Sequence, residues 1–463
     1  MYIQQLYTNC LAEAAYYIES NGEAAIIDPL RDTQIYLDLA STRNATIKYV
    51  FESHFHADFV SGHVDLAKQS GAKIVYGPGA KTDFEMYEAK NLELFQLGNI
   101  SLQLLHTPGH TIESSCILLI DEEQNPHAVF TGDTLFVGDV GRPDLAVKSS
   151  LTQEDLAGLL YDSLHSQLMH LPDEVIVYPG HGAGSACGKN IGKETSTTIG
   201  IQKKTNYALC CTSKESFIKQ VCEGLEAPPA YFFIDAQINK TGYEDLGSII
   251  RKNKTALSSQ QVFDAISNEA ILLDTRSAEE FDKAFIPGSI NIGLNGQYAV
   301  WVGALIPHNK PIVIVSNEGH EKEAIIRLAR VGYENVIGYL NKGILGWQSE
   351  KLPIDHVECI DPSHFENEAN QKQTFVIDVR NTGEWNMMHL KNAIHIPLAL
   401  LNQKIETLDP ESNYLIHCAG GYRSMMASSI LKKHGFKHVK NVNGGIQKMK
   451  EAGVAHLISN NHD

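Results

Sequence analysis

The chain has 463 residues, with 38 Lys and Arg against 55 Asp and Glu, and a formal net charge of −17. An acidic chain repels the phosphate backbone of nucleic acids and anionic membrane surfaces, so we expect neither as a partner. Hydrophobic residues make up 43% and charged residues 20% of the chain, which excludes a disordered or collagen-like protein. At about 150 residues per domain, the length indicates roughly three domains.

The lack of a targeting signal and the low cysteine content lead us to expect a cytoplasmic protein. No apolar run approaches the roughly 20 residues that span a bilayer. The N-terminal sequence MYIQQLYTNC lacks the basic start and apolar core of a secretory signal. Eight cysteines are too few for a disulfide scaffold in a chain of this length, so we expect free thiols.

Short apolar, β-branched runs alternate with helical stretches through the first half of the chain. The predicted strands are AAIID, YVFESH, KIVYG, LQLLHT, SCILLID, HAVFTGD and EVIVYPGH. Many of them end at His, Asp or Gly-His, so we expect polar side chains to gather on loops at one edge of a sheet. The polar and basic segment 239–259 predicts a linker after this part of the chain.

The second half of the chain contains an internal repeat. ILLDTRSAEEF at 271–281 matches FVIDVRNTGEW at 375–385, an offset of 104 residues. Each copy alternates strands and helices, which predicts a parallel α/β domain of about 100 residues. The period is too long for a solenoid, so we expect tandem domains. The predicted domains are 1–245, 258–355 and 356–463.

Four motifs at strand ends predict a metal site in the first domain. HFHAD, TPGHT, TGD and PGHG supply six candidate ligands: His54, His56, Asp58, His110, Asp133 and His181. Neutral imidazoles with carboxylates are the ligand set of a divalent transition metal. A lone His at a strand end is more often structural, but six such residues in these motifs favour metal binding.

These motifs, in this order, resemble the metallo-β-lactamase fold over about half of the chain. The resemblance implies an αββα sandwich, here followed by the two α/β repeats. The family pattern usually reads HxHxDH, whereas this chain has Phe59 at the last position. In the dinuclear hydrolases of the superfamily, that His joins Asp58 and His181 around a second metal. Phe59 therefore favours a single-metal enzyme.

The sequences GDTLFVGDVGRPDL and YPGHGAGSACGKN resemble the persulfide dioxygenases of this superfamily more closely. That resemblance implies one Fe(II) per chain, bound by His54, His110 and Asp133. Two His and one carboxylate leave coordination positions open for substrate and O₂. The resemblance places the remaining candidates outside the metal shell or as alternative ligands: His56, Asp58 and His181.

Two further residues of the first domain have alternative interpretations. Arg142 either binds the carboxylate of a thiol carrier, as a substrate-binding residue, or forms a salt bridge within its loop. Cys187 either faces the metal pocket or is a small buried hydrophobic residue.

The segment YLIHCAGGYRS predicts a nucleophilic cysteine in the last domain. Gly420 and Gly421 let backbone N–H groups turn towards Cys418, and the following helix directs its positive end to the same point. We expect these two glycines to be substrate-binding residues that stabilise a bound persulfide or an incoming oxyanion. Arg423 adds a charge for sulfite or a carboxylate. The segment resembles the active loop of rhodaneses (sulfurtransferases), with Cys418 and Arg423 as catalytic residues. Cysteine phosphatases use a similar loop with five residues between Cys and Arg, whereas this loop has four.

The first repeat reads IVSNEGHEK at the corresponding position and has no cysteine, so we expect an inactive rhodanese fold there. The whole chain resembles persulfide dioxygenase–sulfurtransferase fusions of sulfide detoxification. The resemblance implies a low-molecular-weight thiol persulfide, O₂, and sulfite or thiosulfate as reactants, and we expect a homo-oligomer. Two alternatives remain: a zinc thioester hydrolase of the glyoxalase II type fused to a sulfur carrier, and a non-enzymatic sulfur-carrier or sensing scaffold.

Overall fold

The computed structural model describes residues 1–146, 151–225, 227–454 and 457–459. The chain divides into two compact units. The first comprises Met1–Ser248 with Ala329–Gly332, and the second comprises Ile249–Leu328 with Tyr333–Asp463. The last four residues of the third predicted domain, 460–463, lie outside the described ranges. No helix in the described part of the chain is long and apolar enough to cross a membrane.

The first unit alternates strands and helices along the chain. Its elements are β1 (Tyr2–Thr8), β2 (Glu13–Ser20), β3 (Glu23–Ile27), α1 (Gln34–Thr42), β4 (Thr46–Phe51), α2 (His63–Ser70), β5 (Lys73–Tyr76), β6 (Tyr87–Glu88), β7 (Leu94–Leu97), β8 (Ile100–His106), β9 (Ser115–Ile120), β10 (Pro126–Gly132), α3 (Gln153–Ser163), β11 (Ile176–Pro179), β12 (Thr197–Thr198), α4 (Ile199–Thr205), α5 (Lys214–Cys222), α6 (Phe232–Thr241) and α7 (Leu246–Asn253), the last of which continues into the second unit.

Two six-stranded sheets form the centre of this unit. The first has the order β1-β2-β3-β4-β5-β6 and the second has the order β12-β11-β10-β9-β8-β7. The inner faces of both sheets contribute to one apolar core, which includes Tyr16, Phe95 and Phe130. Helices cover the outer face of each sheet, so the predicted αββα sandwich is confirmed.

Strand β2 shows how the sequence produces these layers. Because successive side chains of a strand point to opposite faces, residues two apart share a layer. Ala14, Tyr16 and Ile18 pack in the core between the sheets. Ala15 and Tyr17 pack on the outer side, in the cluster that includes residues of α1 and α2. All five side chains are buried, because β2 is covered on both faces.

The second unit consists of the two sequence repeats. Its elements are β13 (Ala256–Leu257), α8 (Ser259–Ser267), β14 (Ile271–Asp274), α9 (Ala278–Phe281), β15 (Ile290–Asn291), α10 (Tyr298–Leu305), β16 (Ile312–Val315), α11 (Glu321–Ala329), β17 (Val336–Leu340), α12 (Gly343–Ser349), β18 (Glu358–Ile360), α13 (Phe365–Ala369), β19 (Thr374–Asp378), α14 (Thr382–Met387), β20 (Met388–Leu390), β21 (Ile394–His395), α15 (Leu401–Lys404), β22 (Asn413–His417), α16 (Tyr422–Lys433), β23 (His438–Val442), α17 (Gly445–Glu451) and β24 (Leu457–Ser459).

Each repeat folds around its own five-stranded parallel sheet. The strand orders are β13-β17-β16-β14-β15 and β18-β23-β22-β19-β21, so equivalent strands occupy equivalent positions. Strands β14 and β19 occupy the same position in the two repeats, and each ends at a buried Asp. This Asp forms an ion pair with the Arg two residues later: Asp274 with Arg276, and Asp378 with Arg380. The predicted tandem parallel α/β domains are therefore confirmed.

Two details of the sequence-based prediction are wrong. Strand β4 ends at Phe51, and Glu52 to His54 belong to the loop that follows it rather than to a strand. The predicted linker 239–259 contains helix α7 and strand β13. Leu246 and Ile249 of α7 are buried, and their spacing places them on one face of the helix among charged neighbours.

Candidate metal and thiol sites

The three predicted iron ligands meet at the carboxyl ends of strands from both sheets. His54 follows β4, His110 follows β8, and Asp133 follows β10 directly. One potential ligand atom from each of them lies within 4.8 Å of the others. Nε2 of His110 lies 3.5 Å from Asp133 Oδ2, and Nε2 of His54 lies 3.9 Å from the same oxygen.

The inward-facing atoms of this triad have no protein partners. His54 Nε2, His110 Nε2 and Asp133 Oδ2 are buried and make no hydrogen bond within the described residues. The opposite ring nitrogens are engaged: His54 Nδ1 shares a hydrogen bond with the Ser53 hydroxyl, and His110 Nδ1 donates to the carbonyl of Arg142. Unpaired buried polar atoms are costly. Their convergence therefore fits a metal ion held by all three.

Protonation states also suit a metal. Burial lowers the pKa of His54 well below its ordinary value, and burial likewise lowers the pKa of His110. Both rings are therefore neutral and offer a lone pair. Burial raises the pKa of Asp133, but His181, His54 and His110 outweigh it and hold that pKa well below the ordinary range. A neutral imidazole pair with an ionised carboxylate matches the ligand chemistry of a divalent metal.

His181 is held between two carboxylates. Its Nδ1 donates to Asp133 Oδ1 at 2.7 Å, and its Nε2 lies 2.8 Å from Asp58 Oδ2. Burial lowers its pKa, but Asp133 and Asp58 more than offset burial and raise that pKa well above the ordinary value. In this arrangement His181 orients the free oxygen of Asp133 towards the triad. Asp58, His181 and Cys187 also form a second group that could bind a metal.

His56 points to a different group of buried side chains. Its Nε2 lies 3.1 Å from Asp28 Oδ1 and 3.7 Å from Glu52 Oε2, and these three residues form a third candidate metal group. The centroid of its ring lies 4.3 Å from the centroid of the Phe59 ring. The six predicted ligands are thus divided among three neighbouring groups. Neither Asp28 nor Glu52 was predicted as a site residue. Asp28 is the polar residue at the end of the predicted strand AAIID, and that position could have marked it as a candidate ligand.

Asn239 holds the metal-binding loop and was missed because the sequence predicts a linker there. Its amide Nδ2 donates to the carbonyls of His56 and Phe59, both at 2.7 Å. Its Oδ1 accepts from the amide of Ser61 at 2.9 Å. Asn239 is fully buried in α6 and lies about 180 residues along the chain from this loop. No local pattern marks such a contact.

Arg142 forms the loop salt bridge that was the alternative to substrate binding. Its guanidinium donates to both carboxylate oxygens of Asp144, at 2.6 and 2.7 Å, and to the carbonyl of Ala186. Through its own carbonyl it orients His110. Cys187 lies beside His181 and Asp58, so it faces this site. Burial raises the pKa of Cys187 well above its ordinary value, which favours the thiol form.

Cys418 directly follows β22 and begins the short loop that leads to α16. The amide of Gly421 donates to its Sγ at 3.1 Å, and the hydroxyl of Ser424 lies 3.5 Å from the same sulfur. Gly421 has a φ of 106°, a conformation that side chains rarely adopt and that turns its N–H towards the sulfur. The N-terminus of a 12-residue helix follows, so the loop is suited to hold a thiolate or a bound anion.

Arg423 is held by an acid of the same repeat. It donates to both oxygens of Glu384, at 2.6 and 2.7 Å, and to Oδ1 of Asn381 at 2.9 Å. Sequence reasoning missed Glu384, although it aligns with Glu280 of the first repeat and both complete a capping box. The charge of Arg423 is therefore largely balanced before any substrate arrives.

The corresponding loop of the first repeat lacks these features. Ser316 occupies the cysteine position and is buried, and Glu321 occupies the arginine position. Glu280 accepts from the side chain of Asn317 instead of an arginine. We call this copy the silent repeat. Without a thiol it cannot carry a persulfide.

Family comparisons distinguish the same two parts of the chain. Residues 8–181 match the metallo-beta-lactamase superfamily, and residues 258–350 and 361–452 each match the rhodanese-like domain. A crystal structure of a metallo-beta-lactamase from Staphylococcus aureus is 32% identical, with a TM-score of 0.66, and the match covers 73% of this chain and 98% of that one. The chain belongs to the metallo-beta-lactamase superfamily. It carries two rhodanese-like domains after its metallo-beta-lactamase domain.

Curated relatives match part of this chain. Two probable hydroxyacylglutathione hydrolases of Schizosaccharomyces pombe are 31% and 30% identical over 166 and 195 residues. The matches cover 35% and 42% of this chain. They span 60% of the length of the first relative and 70% of the second.

Proposed function

We propose that the chain is a bifunctional enzyme of sulfur metabolism. The metal site of the first unit oxidises a thiol-bound persulfide to sulfite, and Cys418 transfers sulfane sulfur to or from thiosulfate. In the oxidation, a persulfide RSSH, one O₂ and one water become the thiol RSH, sulfite and two protons. The observation that carries the proposal is the triad of buried, unpaired atoms on His54, His110 and Asp133, in a chain that also holds a cysteine in a rhodanese-like loop.

The residues around the triad have defined tasks in this proposal. Bound iron would supply the activation of O₂, which zinc does not provide. Ser53 and the carbonyl of Arg142 fix the two imidazoles, while His181 fixes Asp133. Burial of the triad excludes bulk water from the reacting sulfur.

The transfer step uses Cys418 as the nucleophile. Its thiolate attacks the outer sulfur of thiosulfate, the S–S bond of thiosulfate breaks, and sulfite leaves with the electron pair. Cys418 then carries the persulfide, and the reverse reaction forms thiosulfate from sulfite. The Gly421 amide stabilises negative charge on the sulfur throughout.

A second candidate is a hydroxyacylglutathione hydrolase, favoured by the names of the S. pombe relatives. It requires a second metal, for which Asp58, His181 and Cys187 form the neighbouring group. Phe59 and the engagement of His181 with both Asp58 and Asp133 weaken that site.

Metal analysis separates the two candidates. Full-length protein purified without added metal is expected to contain about one iron per chain, and Asp133→Ala to lose it. Asp162→Ala changes an exposed carboxylate of the same unit and is the matched control, which is expected to keep the iron. About two zinc ions per chain, together with hydrolysis of S-lactoylglutathione, would favour the hydrolase instead.

A further inference from the structure

A cavity of about 230 Å³ lies between the two repeats of the second unit, beside the Cys418 loop. Gly420, Gly421 and Tyr422 of the active loop form one side. Glu279 and Asp282 of the silent repeat form the opposite side. The silent repeat thus supplies one wall of the space next to the catalytic loop.

Tyr422 fixes this wall against the loop. Its hydroxyl donates to the carbonyl of Gly293 at 2.6 Å. Its ring also lies so close to Gly296 that a Cβ at that position would come within 2.5 Å of the ring. A side chain at position 296 would therefore require the ring of Tyr422 to move. These contacts show that the two repeats pack closely against each other at the edge of the cavity.

Two residues that line the cavity, Asp282 and Asn441, each have a buried oxygen without a hydrogen-bond partner in the described part of the chain. The thiol of Cys359 donates to Oδ2 of Asp282 at 3.3 Å, and Nδ2 of Asn441 donates to the same sulfur. Burial raises the pKa of Cys359 to about 12, so the thiol keeps its proton. The remaining oxygens, Oδ1 of Asp282 and Oδ1 of Asn441, are buried and unpaired within the described residues. Asn441 is only 3% exposed.

The charge at the cavity is negative. Glu279 and Asp282 line it, whereas the described lining contains no Lys, Arg or His. Arg423, the cation of the active loop, is bound to Glu384. The carboxylates of Glu279 and Asp282 and the unpaired amide oxygen of Asn441 suit a ligand that brings N–H donors and positive charge. They disfavour thiosulfate, which carries two negative charges.

We infer that this cavity binds the ammonium group of an amine-bearing persulfide, which donates its outer sulfur to Cys418. The inference rests on the sulfur transfer proposed above and specifies its donor. The Cys418 thiolate attacks the outer sulfur of R–S–SH, forming a new S–S bond as the S–S bond of the donor breaks. The leaving thiolate takes the donor's proton and departs as R–SH, and the persulfide on Cys418 retains the negative charge.

The test compares two donors of similar size, one with an ammonium group and one with a hydroxyl group. Full-length protein is mixed without O₂ with the persulfide of cysteamine or with that of 2-mercaptoethanol, and sulfur on the Cys418 peptide is followed by mass spectrometry. The ammonium donor is expected to react about ten- to hundredfold faster, the range of a hydrogen bond to a charged group. Asp282→Asn is expected to remove most of this preference.

Asp264→Asn is the matched control, because Asp264 is an exposed carboxylate of the same repeat and does not line the cavity. It is expected to keep the preference. Equal rates with the two persulfides, or a preference that survives Asp282→Asn, would overturn the inference.

A second measurement does not depend on sulfur transfer. Methanethiosulfonates carrying aminoethyl or sulfonatoethyl groups modify thiols directly, so their rates on Cys418 report the local charge. Asp282→Asn is expected to lower the aminoethyl-to-sulfonatoethyl ratio about tenfold, and an unchanged ratio would overturn the inference. If the ratio falls but no donor places sulfur on Cys418, the proposed transferase function fails while the cation subsite stands.

Discussion

Replacing Asn239 with Ala tests how the first unit holds its metal loop. The change removes three buried hydrogen bonds, to the carbonyls of His56 and Phe59 and from the amide of Ser61. Asn239 touches none of the three triad residues through these bonds. Any effect on the metal must therefore pass through the position of the loop.

The losses of stability and metal affinity expected for Asn239→Ala follow from these contacts. At a net value of about 1 kcal/mol for each buried hydrogen bond, the free energy of unfolding falls by about 3 kcal/mol. Metal affinity is expected to fall about 10- to 100-fold, the usual effect of removing a group that orients a ligand from outside the metal shell.

Asn206→Ala is a closely matched control. Asn206 is also fully buried in the first unit and also makes three hydrogen bonds, with Asp139, Gln202 and Ala208. We expect a similar loss of stability from this change, because the number of lost bonds is the same. Metal affinity is expected to stay near that of the wild type, because Asn206 does not hold the metal loop.

Hydrogen exchange is the suitable assay for stability. All three tryptophans, Trp301, Trp347 and Trp385, belong to the second unit, so their fluorescence does not report on this region. Exchange of peptides from β4 to Ser61 measures local opening, and competition with a chelator measures iron affinity. Wild-type iron affinity in Asn239→Ala, or an equal loss in Asn206→Ala, would refute the reasoning.

Three further variants test the division of activities, the role of Arg423 and the position of the Cys418 loop. Cys418→Ser is expected to abolish thiosulfate chemistry but keep persulfide-dependent O₂ uptake; loss of that uptake in the folded variant would contradict the division. Glu384→Gln weakens the hold on Arg423 and is expected to change the KM for thiosulfate several-fold in steady-state assays, whereas an unchanged KM would argue against Arg423 as an anion-binding group. Gly296→Ala is expected to slow sulfur transfer at least about tenfold through the clash with the active loop, whereas Gly383→Ala, with open space around it, is expected to leave the rate unchanged. Equal rates in these two glycine variants would show that the silent repeat does not position the loop.

A labelling experiment tests the silent repeat directly. Radioactive sulfane sulfur is expected on the peptide containing Cys418 and absent from peptides of residues 258–355, because Ser316 replaces the cysteine there. Label on those peptides would contradict an inactive copy.

The sequence predicted the site best where local pattern and fold coincide. His54, His110 and Asp133 each follow a strand, and loops at strand ends commonly carry site residues. The sequence did not show that these strands belong to two different sheets. The parallel repeats were similarly predictable, because each predicted strand is an apolar run and the two copies support each other. The loop of Cys418 was visible for the same reason: its glycines lie between a strand and a helix.

The contacts that tertiary packing creates were not predictable. The position of His181 between Asp58 and Asp133 depends on three separate loops. Asn239 joins the metal loop from a helix in a segment that reads as a polar linker. The cavity beside the Cys418 loop is lined by both repeats, and Asp282, which has an unpaired oxygen, belongs to the copy that lacks a cysteine.

Oxygen uptake by the full-length protein tests the central claim most directly. The iron-loaded chain is mixed with a low-molecular-weight persulfide in an oxygen electrode, and sulfite is measured in the same sample with thiosulfate formation blocked by Cys418→Ser. We predict that one O₂ disappears for each sulfite formed, and that Asp133→Ala, which loses a triad ligand, shows neither change. Consumption of the persulfide without O₂ uptake and without sulfite formation would contradict the claim. Full activity in a zinc-loaded and iron-free protein would also contradict it.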